Sequence, residues 1–414
     1  MKNPISNFLQ ERIEAGGFPS AVYLVAEKGE IVLKDALGFA VVEPEKIEAQ
    51  IDTIYDLASL TKPLVTGLLC AKLIENGDVE RDQIVEHYVP ELIEFGVRSE
   101  FDCLDTFIED LLTHHSAYQA WKPFYLLCNE ASANTRGEIL CLIANKIPPQ
   151  FDPEVIYSDL NFLMLAGVLE KIHGKKLDEI TREQIVGPLT LENTFFNPPK
   201  ELQKRIAANE KGNEYERQTC SQLGYLQPPA AAKGTDTPLI APPAAASRSA
   251  TEKNPPAHAG GSDKFRDYQI WGEVHDGNAF FMGGVAGHAG LFSTAEETYK
   301  IAQQFLPNYT TLLRPETCKL FRTNFTKGMN EARSIAFQLA ETTDSTAGTK
   351  MSPDSFGHLG FTGTSLWIDP TKERIFILLT NRTHNRELPF ANINDVRRRF
   401  HDLAIEFLDK TPSN

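Results

Sequence analysis

The chain has 414 residues, 42% of them hydrophobic and 23% charged, which is ordinary for a globular protein and long enough for two or three structural units. Lys plus Arg total 41 and Asp plus Glu total 56, so the formal net charge is −15 at pH 7. This acidity argues against a nucleic-acid partner and against docking on anionic membranes, because both require clustered basic residues.

The start of the chain and its cysteines are typical of a cytoplasmic protein. Residues 1–7 lead into amphipathic sequence without the apolar segment of a signal peptide, and no stretch is long enough to span a bilayer. The cysteines have neither a metal-ligand spacing nor a disulfide framework, so we expect reduced, mostly buried thiols. They are Cys70, Cys103, Cys128, Cys141, Cys220 and Cys318.

The first predicted elements are a helix over residues 5–16 and a hairpin of strands over 20–27 and 30–38. A further helix is predicted from about residue 60 to 76. Proline inside a helix clashes with the carbonyl four residues earlier, so Pro63 is tolerated only in the first turn. Ser59 therefore lies at or just before the helix N-terminus.

The pattern from about residue 80 to 215 is mainly helical. Residues 226–264 are rich in Pro and Ala, which predicts a flexible surface insert without catalytic residues. Strands follow over 364–368 and 374–380, and a closing helix over 394–408.

Strands at both ends and a long helical middle predict one sheet assembled from the two termini, with a helical domain inserted between them. We place the sheet domain, of α and β elements together, at residues 1–75 and 270–414. The mainly helical domain is placed at 76–225 and the flexible insert at 226–264.

Ser59 and Lys62 form the first motif with chemical potential. Residues three apart share a helix face, so the hydroxyl and the amine can come within hydrogen-bond reach. A serine needs an adjacent base to attack, and a lysine serves only if burial or another cation lowers its pKa. A serine at a helix start is often only an N-cap, so this motif alone leaves both interpretations open.

Two further motifs lie downstream. In Tyr157-Ser158-Asp159 the phenol can relay a proton and Asp159 can orient Lys62, although a buried tyrosine and an N-cap explain the same residues. In His358-Leu359-Gly360-Phe361, Gly360 allows close approach of the backbone and the Phe361 N–H can face an oxyanion. A simple turn before a strand would satisfy these residues as well.

Together and in this order, the three motifs resemble those of the class C β-lactamase-like family: SxxK, a Tyr-x-Asn type and a Lys/His-x-Gly type. That family includes penicillin-binding proteins, D-alanyl-D-alanine carboxypeptidases, D-aminopeptidases and esterases. Segments 56–63, 284–293 and 357–370 look like family segments, and 272–276 is similar to a branch with low-molecular-weight penicillin-binding proteins. The resemblance spans roughly residues 15–405 apart from the insert.

The resemblance implies an α+β fold, a mostly antiparallel sheet flanked by helices beside a helical domain, with the active site in the cleft between. It implies hydrolysis of an ester, amide, D-amino-acid peptide or β-lactam through an acyl-enzyme. The substrate would be a small molecule or short peptide, and no cofactor is expected. The residues it assigns are Ser59, Lys62 and Tyr157 for catalysis, Ser59 and Phe361 for the oxyanion hole, and Asp159, His358 and Gly360 for substrate binding.

The chain departs from β-lactamases at two of these positions. Asp159 stands where they usually have Asn, so an amide donor is replaced by a negative charge. His358 stands where they usually have Lys, and a histidine is only partly charged near neutral pH. Both changes favour a less anionic substrate, such as a simple ester or an amide.

Other functions fit the sequence less well. The histidines lack a metal-ligand pattern of the HExxH type, and we expect no metal site. Residues 283–290 are glycine-rich, but neither GK[ST] nor a βαβ unit frames them, so they do not predict a nucleotide loop. The remaining alternative is a catalytically idle relative that binds or assembles, which could lose any of Ser59, Lys62 and Tyr157, whereas this chain keeps all three.

Overall fold

The computed structural model describes residues 3–89, 106–116, 118–128, 137, 139–140, 154–226 and 265–410. The expectations for Cys103, Cys141 and the insert beyond Leu226 lie outside these ranges. Of the other cysteines, all are buried free thiols, as expected: Cys70, Cys128, Cys220 and Cys318.

An antiparallel sheet forms the centre of the described structure. Its seven strands are ordered β3-β2-β1-β10-β9-β8-β7, and a second sheet of three short strands is ordered β4-β6-β5. The strands are β1 (Ser20–Glu27), β2 (Glu30–Val41), β3 (Ile47–Glu48), β4 (Tyr55–Asp56), β5 (Phe195–Phe196), β6 (Leu291–Ser293), β7 (Gln338–Leu339), β8 (Phe356–Leu359), β9 (Ser365–Asp369) and β10 (Arg374–Thr380).

Most of the described α-helices lie between residues 68 and 222, and one lies at each end of the chain. The α-helices are Pro4–Glu14, Leu68–Asn76, Val85–Tyr88, Ile108–Leu112, Phe124–Leu127, Asp159–His173, Leu177–Thr181, Glu214–Gln222, Gly277–Phe281, Ala295–Ala302 and Asn394–Lys410. The 3₁₀ turns are Ala58–Leu60, Lys200–Arg205, Gln303–Phe305 and Thr317–Arg322, and the π-helical turns are Lys62–Gly67 and Arg182–Val186. Within the described ranges, every helix is too short or too polar to cross a membrane.

The central strands carry apolar side chains on both faces. In β1, Val22 and Leu24 belong to the large core, whereas Tyr23 and Val25 belong to a second cluster under the terminal helices. This alternation follows from the two-residue period of a strand. The sheet is therefore covered on both sides, which is the layered arrangement expected for an α+β fold.

The predicted α+β fold is confirmed: β1 pairs directly with β10, so strands from the two ends of the chain lie at the centre of one sheet. The predicted hairpin is also present, with Lys28 and Gly29 in the left-handed region that a tight hairpin turn requires. The short strands β4, β5 and β6 were not predicted, since two or three residues give no periodic signal. The domain boundaries stay a prediction.

The helix that carries the first motif differs from the regular helix predicted. Ala58–Leu60 form a 3₁₀ turn, Lys62–Gly67 a π-helical turn, and only Leu68–Asn76 are α-helical, ending at Gly77 with φ of 79°. Such π turns occur frequently near functional sites. Ser59 lies in the first turn, as the position of Pro63 predicted.

Candidate active site

A strained turn presents Ser59 to the solvent. Ala58, the residue before it, has φ of 48°, in the left-handed region that costs a residue with a side chain free energy. Asp56 holds this turn, because its Oδ1 accepts the Ala58 N–H at 2.8 Å while its Oδ2 accepts the His275 N–H at 2.8 Å. The buried carboxylate therefore fixes the backbone on which the serine stands.

Lys62 is fully buried and faces Ser59. Its Nζ donates to Ser59 Oγ at 2.8 Å and to the carbonyl oxygen of His288 at 3.2 Å. It also lies 2.7 Å from Oδ1 of Asp159 and hydrogen-bonds to the Tyr157 side chain. The lysine thus joins the first two motifs of the sequence in one hydrogen-bonded group.

The charge of Lys62 differs from the expectation of a lowered pKa. Burial alone would lower its pKa, but Asp159 and Tyr157 outweigh burial and raise the pKa above its usual value. The side chain is therefore an ammonium at neutral pH. An ammonium has no lone pair and cannot act as the base in this state.

Tyr157 and Asp159 are placed by the start of the helix Asp159–His173. Ser158 is its N-cap, and the Ser158 side chain accepts the Leu160 N–H. His114 supports the same turn, because its Nδ1 accepts the Ser158 N–H at 3.0 Å and its ring lies 4.6 Å from that of Tyr157. Burial lowers the pKa of His114 well below its usual value, which keeps this nitrogen available as an acceptor.

The third motif lies at the end of β8 and faces the same cleft. His358 is buried, and burial followed by the nearby Lys62 charge lowers its pKa well below the usual value. The imidazole is neutral, so it supplies no fixed charge for a substrate carboxylate. The expectation of a partly charged histidine was therefore wrong.

Gly360 is required by the close packing of its backbone. A Cβ on this residue would lie 2.6 Å from the carbonyl oxygen of Leu57 and 2.0 Å from Oγ1 of Thr364. Thr364 Oγ1 donates to the Leu57 carbonyl at 3.0 Å, and Thr362 Oγ1 donates to the Asp56 carbonyl at 2.8 Å. These bonds hold the third motif against the turn that carries the serine.

The two N–H groups assigned to an oxyanion hole are both available. Among the described residues, neither the Ser59 N–H nor the Phe361 N–H donates to a protein acceptor. Buried backbone donors are normally paired, so a pair of free N–H groups beside a nucleophile is typical of an anion-binding site.

These residues line one cavity of about 770 Å³. All the candidate residues except Lys62 are in its wall: Ser59, Tyr157, Asp159, His358, Gly360 and Phe361. The structure therefore brings together the three motifs, which are separated by about a hundred residues or more along the chain.

Two arginines in the same wall, Arg382 and Arg397, were not predicted from the sequence. Arg382 donates to the Phe361 carbonyl at 2.7 Å and to the Ala391 carbonyl at 2.8 Å. Arg397 donates to the Gly360 carbonyl at 2.9 Å. Within the described part of the chain neither guanidinium contacts a carboxylate, and no motif in the sequence marked either residue.

Burial lowers the pKa of both arginines, and the charge of Arg382 contributes to lowering that of Arg397 to about 9. Two adjacent cations without a protein anion are costly in a partly buried place. This wall of the cavity therefore has a net positive charge, which the neutral His358 does not provide.

An acidic group lies on the other side of Ser59. Oxygen or nitrogen atoms of Asp159, Asp276 and His288 lie within 4.8 Å of one another. These atoms already have partners, because Asp159 contacts Lys62 and Asp276 accepts from Nε2 of His288 at 3.0 Å. The lysine ammonium lies against Asp159, and its charge also acts on Asp276.

The family model described as Beta-lactamase matches residues 5–398. A relative from Escherichia coli (strain K12), named "Putative D-alanyl-D-alanine carboxypeptidase", is 28% identical over 401 residues, covering 92% of this chain and 82% of the relative.

Solved structures show the same fold at low sequence identity. EstCE1, a hydrolase with promiscuous acyltransferase activity, has a TM-score of 0.67 at 19% identity, covering 97% of both chains. A class C beta-lactamase from Rhodobacter sphaeroides has a TM-score of 0.65 at 16% identity, covering 98% of this chain and 100% of the other. The resemblance inferred from the three motifs is confirmed.

Proposed function

The chain belongs to the beta-lactamase family of serine hydrolases, and from this we propose that it is a D-alanyl-D-alanine carboxypeptidase that acts through an acyl-enzyme on Ser59. The name of the Escherichia coli relative supports the peptidase assignment. The substrate would be a short peptide that ends in D-alanine with a free carboxylate.

In acylation, Ser59 Oγ attacks the carbonyl carbon of the terminal peptide bond. Because Lys62 is an ammonium, Tyr157 relays the proton: its oxygen accepts the serine proton as its own hydroxyl proton passes to the nitrogen of the scissile bond, and the nearby ammonium stabilises the negative charge that develops on the Tyr157 oxygen. The Ser59 and Phe361 N–H groups bind the oxyanion. The C–N bond then breaks, and the D-alanine amine leaves with the proton from Tyr157.

Deacylation reverses these roles. As water attacks the ester of Ser59, the Tyr157 oxygen accepts a proton from the water while the Tyr157 hydroxyl proton passes to Oγ, and the ester bond breaks. The products are the shortened peptide and the free serine. The serine proton has left with D-alanine, and the water proton replaces it.

The observation that carries the peptidase proposal is the arginine pair in the cavity wall. Arg382 and Arg397 supply positive charge on the side of Phe361, where a leaving group would extend from the oxyanion hole. A guanidinium recognises a carboxylate through two parallel hydrogen bonds. Among the described residues, Nε and Nη1 of Arg382 donate to backbone carbonyls, and Nη2 donates to no protein acceptor. A terminal carboxylate would neutralise this wall, contrary to the expectation of a less anionic substrate.

The test uses diacetyl-L-lysyl-D-alanyl-D-alanine and the same peptide with a C-terminal amide. We expect D-alanine release from the acid, no release by Ser59→Ala, and at least a tenfold lower acid-to-amide ratio of kcat/KM in Arg382→Met. Arg386→Met is the control, because Arg386 lies on the same loop but outside the cavity wall.

Equal hydrolysis of the acid and the amide by the unmodified protein would overturn the carboxypeptidase proposal. An unchanged ratio in Arg382→Met would remove the arginine from substrate recognition. Release of D-alanine by Ser59→Ala would reject the acyl-enzyme on this serine.

A second candidate function is hydrolysis of an ester with an apolar acyl group. The mouth of the cavity exposes Tyr215 and Leu223, which are 37% and 55% exposed, beside Phe361. The ring centroids of Tyr215 and Phe361 lie 4.7 Å apart. A p-nitrophenyl butyrate rate that exceeds the peptide rate by two orders of magnitude would favour this function.

We also propose that the active-site cleft separates the sheet domain of residues 1–75 and 270–414 from the helical segment of 76–225. Ser59 and His358 come from the first part, and Tyr157 and Asp159 from the second. All four residues line the same cavity, which supports this division.

A further inference from the structure

We propose that Asp276 and His288 form a positioning pair that holds the His288 carbonyl oxygen on Lys62. The inference rests on the proposed role of Lys62 beside the nucleophile. It explains two segments that the three motifs leave unassigned, residues 272–276 and 283–290.

The glycine segment 283–290 lies directly against the helix that follows the nucleophile. Thr66 Oγ1 donates to the Gly287 carbonyl at 2.7 Å, and Lys62 Nζ donates to the next carbonyl, that of His288, at 3.2 Å. A Cβ on Gly287 would lie 2.1 Å from the Phe162 carbonyl oxygen. The segment is therefore fitted between two helices, and only glycine at position 287 permits this approach.

The side chain of His288 holds the glycine segment through a hydrogen bond to Asp276. It is 1% exposed, and its Nε2 donates to Oδ1 of Asp276 at 3.0 Å. Asp276 is itself the N-cap of the helix Gly277–Phe281, because the same Oδ1 accepts the Ala279 N–H at 2.8 Å. Burial would raise the pKa of Asp276, but His288 and Lys62 outweigh burial and keep it ionised.

The His288 carbonyl has a defined task at Lys62. An ammonium has three N–H donors, and a buried one must find acceptors for them. Ser59 Oγ, the Tyr157 side chain, Asp159 Oδ1 and the His288 carbonyl surround Nζ, and among these the His288 carbonyl is the backbone acceptor. If His288 moves away, the ammonium loses one of these acceptors. The orientation of Lys62 towards Ser59 is then less well fixed, and its pKa falls because the charged form is less stabilised.

The charged and titratable groups around Lys62 come from several elements. Asp159 and Tyr157 face it from the helix Asp159–His173 and its preceding turn, Asp276 and His288 from the glycine side, and its charge also reaches His114 and His358. Asp276 also acts on Lys62 through its charge, so substitutions of His288, which leave the Asp276 carboxylate in place, separate position from charge.

The experiment compares His288→Gln with His288→Asn. The Gln amide nitrogen can reach Asp276 as Nε2 does, whereas the shorter Asn amide cannot. We expect Asn to lower kcat for p-nitrophenyl acetate at least tenfold with KM changed less than threefold, and to move the alkaline limb of the pH profile to lower pH. His288→Gln should keep most of kcat and leave the alkaline limb close to its position in the unmodified protein.

His173 provides the matched control, because its two nitrogens also bond locally, to the Leu169 carbonyl and to Gln184, away from the cavity. His173→Asn and His173→Gln should leave the profile unchanged. If His288→Asn does not fold, Asp276→Asn gives the same readout, since its oxygen still caps the helix while its charge is lost.

Equal profiles for His288→Asn and His288→Gln, or a change in KM alone, would overturn the inference. So would a profile of folded Asp276→Asn identical to that of the unmodified protein. The ester substrate keeps this test separate from the peptidase proposal. If the protein does not hydrolyse the peptide but the ester profiles are as expected, only the proposed peptide substrate is rejected.

Discussion

Asp159 determines the charge of Lys62 more than any other side chain near it. Its carboxylate lies 2.7 Å from Nζ, and the raised pKa of the lysine depends on it. In relatives with Asn at this position the lysine lacks that partner. The single change from Asn to Asp therefore favours a resting state in which Lys62 is charged and Tyr157 receives the proton.

Asp159→Asn should move the alkaline limb of kcat/KM to lower pH, because the opposite charge of Asp159 raises the pKa of Lys62. The sign follows from the lysine: without Asp159, burial lowers its pKa and the ammonium is lost at lower pH. The measurement is the pH profile with p-nitrophenyl acetate.

Asp395→Asn is the control for this prediction, since the Asp395 side chain is 96% exposed and lies far from Lys62 in the fold. An alkaline limb that stays in place in Asp159→Asn would show that Lys62 does not need Asp159 to remain charged.

Single residues also show how far the sequence alone could lead. Ser59, Lys62 and Tyr157 could be found because their spacing reports their chemistry. Arg382 and Arg397 could not, because each is an ordinary arginine in a loop or a helix until folding places it beside Phe361. The sequence also did not predict that the pKa of Lys62 is raised, since this depends on the distance between Lys62 and Asp159, which the sequence does not contain.

At the scale of elements, Glu216 connects three helices in the wall of the cavity. It lies in Glu214–Gln222, and its carboxylate accepts the Tyr125 hydroxyl at 2.7 Å and the Gly277 N–H at 2.8 Å. Burial, with the nearby Asp276, raises its pKa from 4.5 to about 7. The folded state therefore keeps a proton that the unfolded chain loses.

This proton predicts a pH-dependent stability. Because the folded pKa is raised, the contribution of Glu216 is complete below about pH 4.5 and is lost as pH rises through about 7. Between pH 5 and 7.5 the free energy of unfolding of the unmodified protein should fall by on the order of 1 to 3 kcal/mol relative to that of Glu216→Gln, which mimics the protonated form.

Urea unfolding at both pH values measures this difference, and Glu214→Gln on the exposed side of the same helix is the control. A constant difference between Glu216→Gln and the unmodified protein across the range would show that Glu216 is ionised in the folded state.

The elements differ in how well their sequence predicts them. The hairpin of β1 and β2, the strand β10 and the helix Asn394–Lys410 were predicted within a few residues, because each is long and periodic. The π-helical turn at Lys62–Gly67 was not, since it reflects packing of Gly67 close to Ala336 rather than any local pattern.

At the scale of the whole molecule, the helix Asn394–Lys410 closes the second core against the sheet. Phe400 is fully buried there, with its ring 5.8 Å from that of Tyr23. Phe400→Ala should cost about 3 to 5 kcal/mol of unfolding free energy, because it removes a large buried side chain and leaves a cavity.

Guanidinium unfolding measures this loss, and Phe8→Ala, at the half-buried edge of the same cluster, should cost less. A loss below about 1 kcal/mol for Phe400→Ala would mean that the helix contributes little to the stability of the sheet.

The pairing of β1 with β10 has a consequence for synthesis of the protein. Ala21 pairs with Thr380, so the second strand leaves the ribosome long after the first. Contacts between such distant residues form slowly. Until then the edge of β1 that pairs with β10 has no partner and needs protection from aggregation. Ser59 is likewise translated early, whereas Phe361 and Arg397 come late, so a partly made chain holds the nucleophile without its second oxyanion donor and cannot act prematurely.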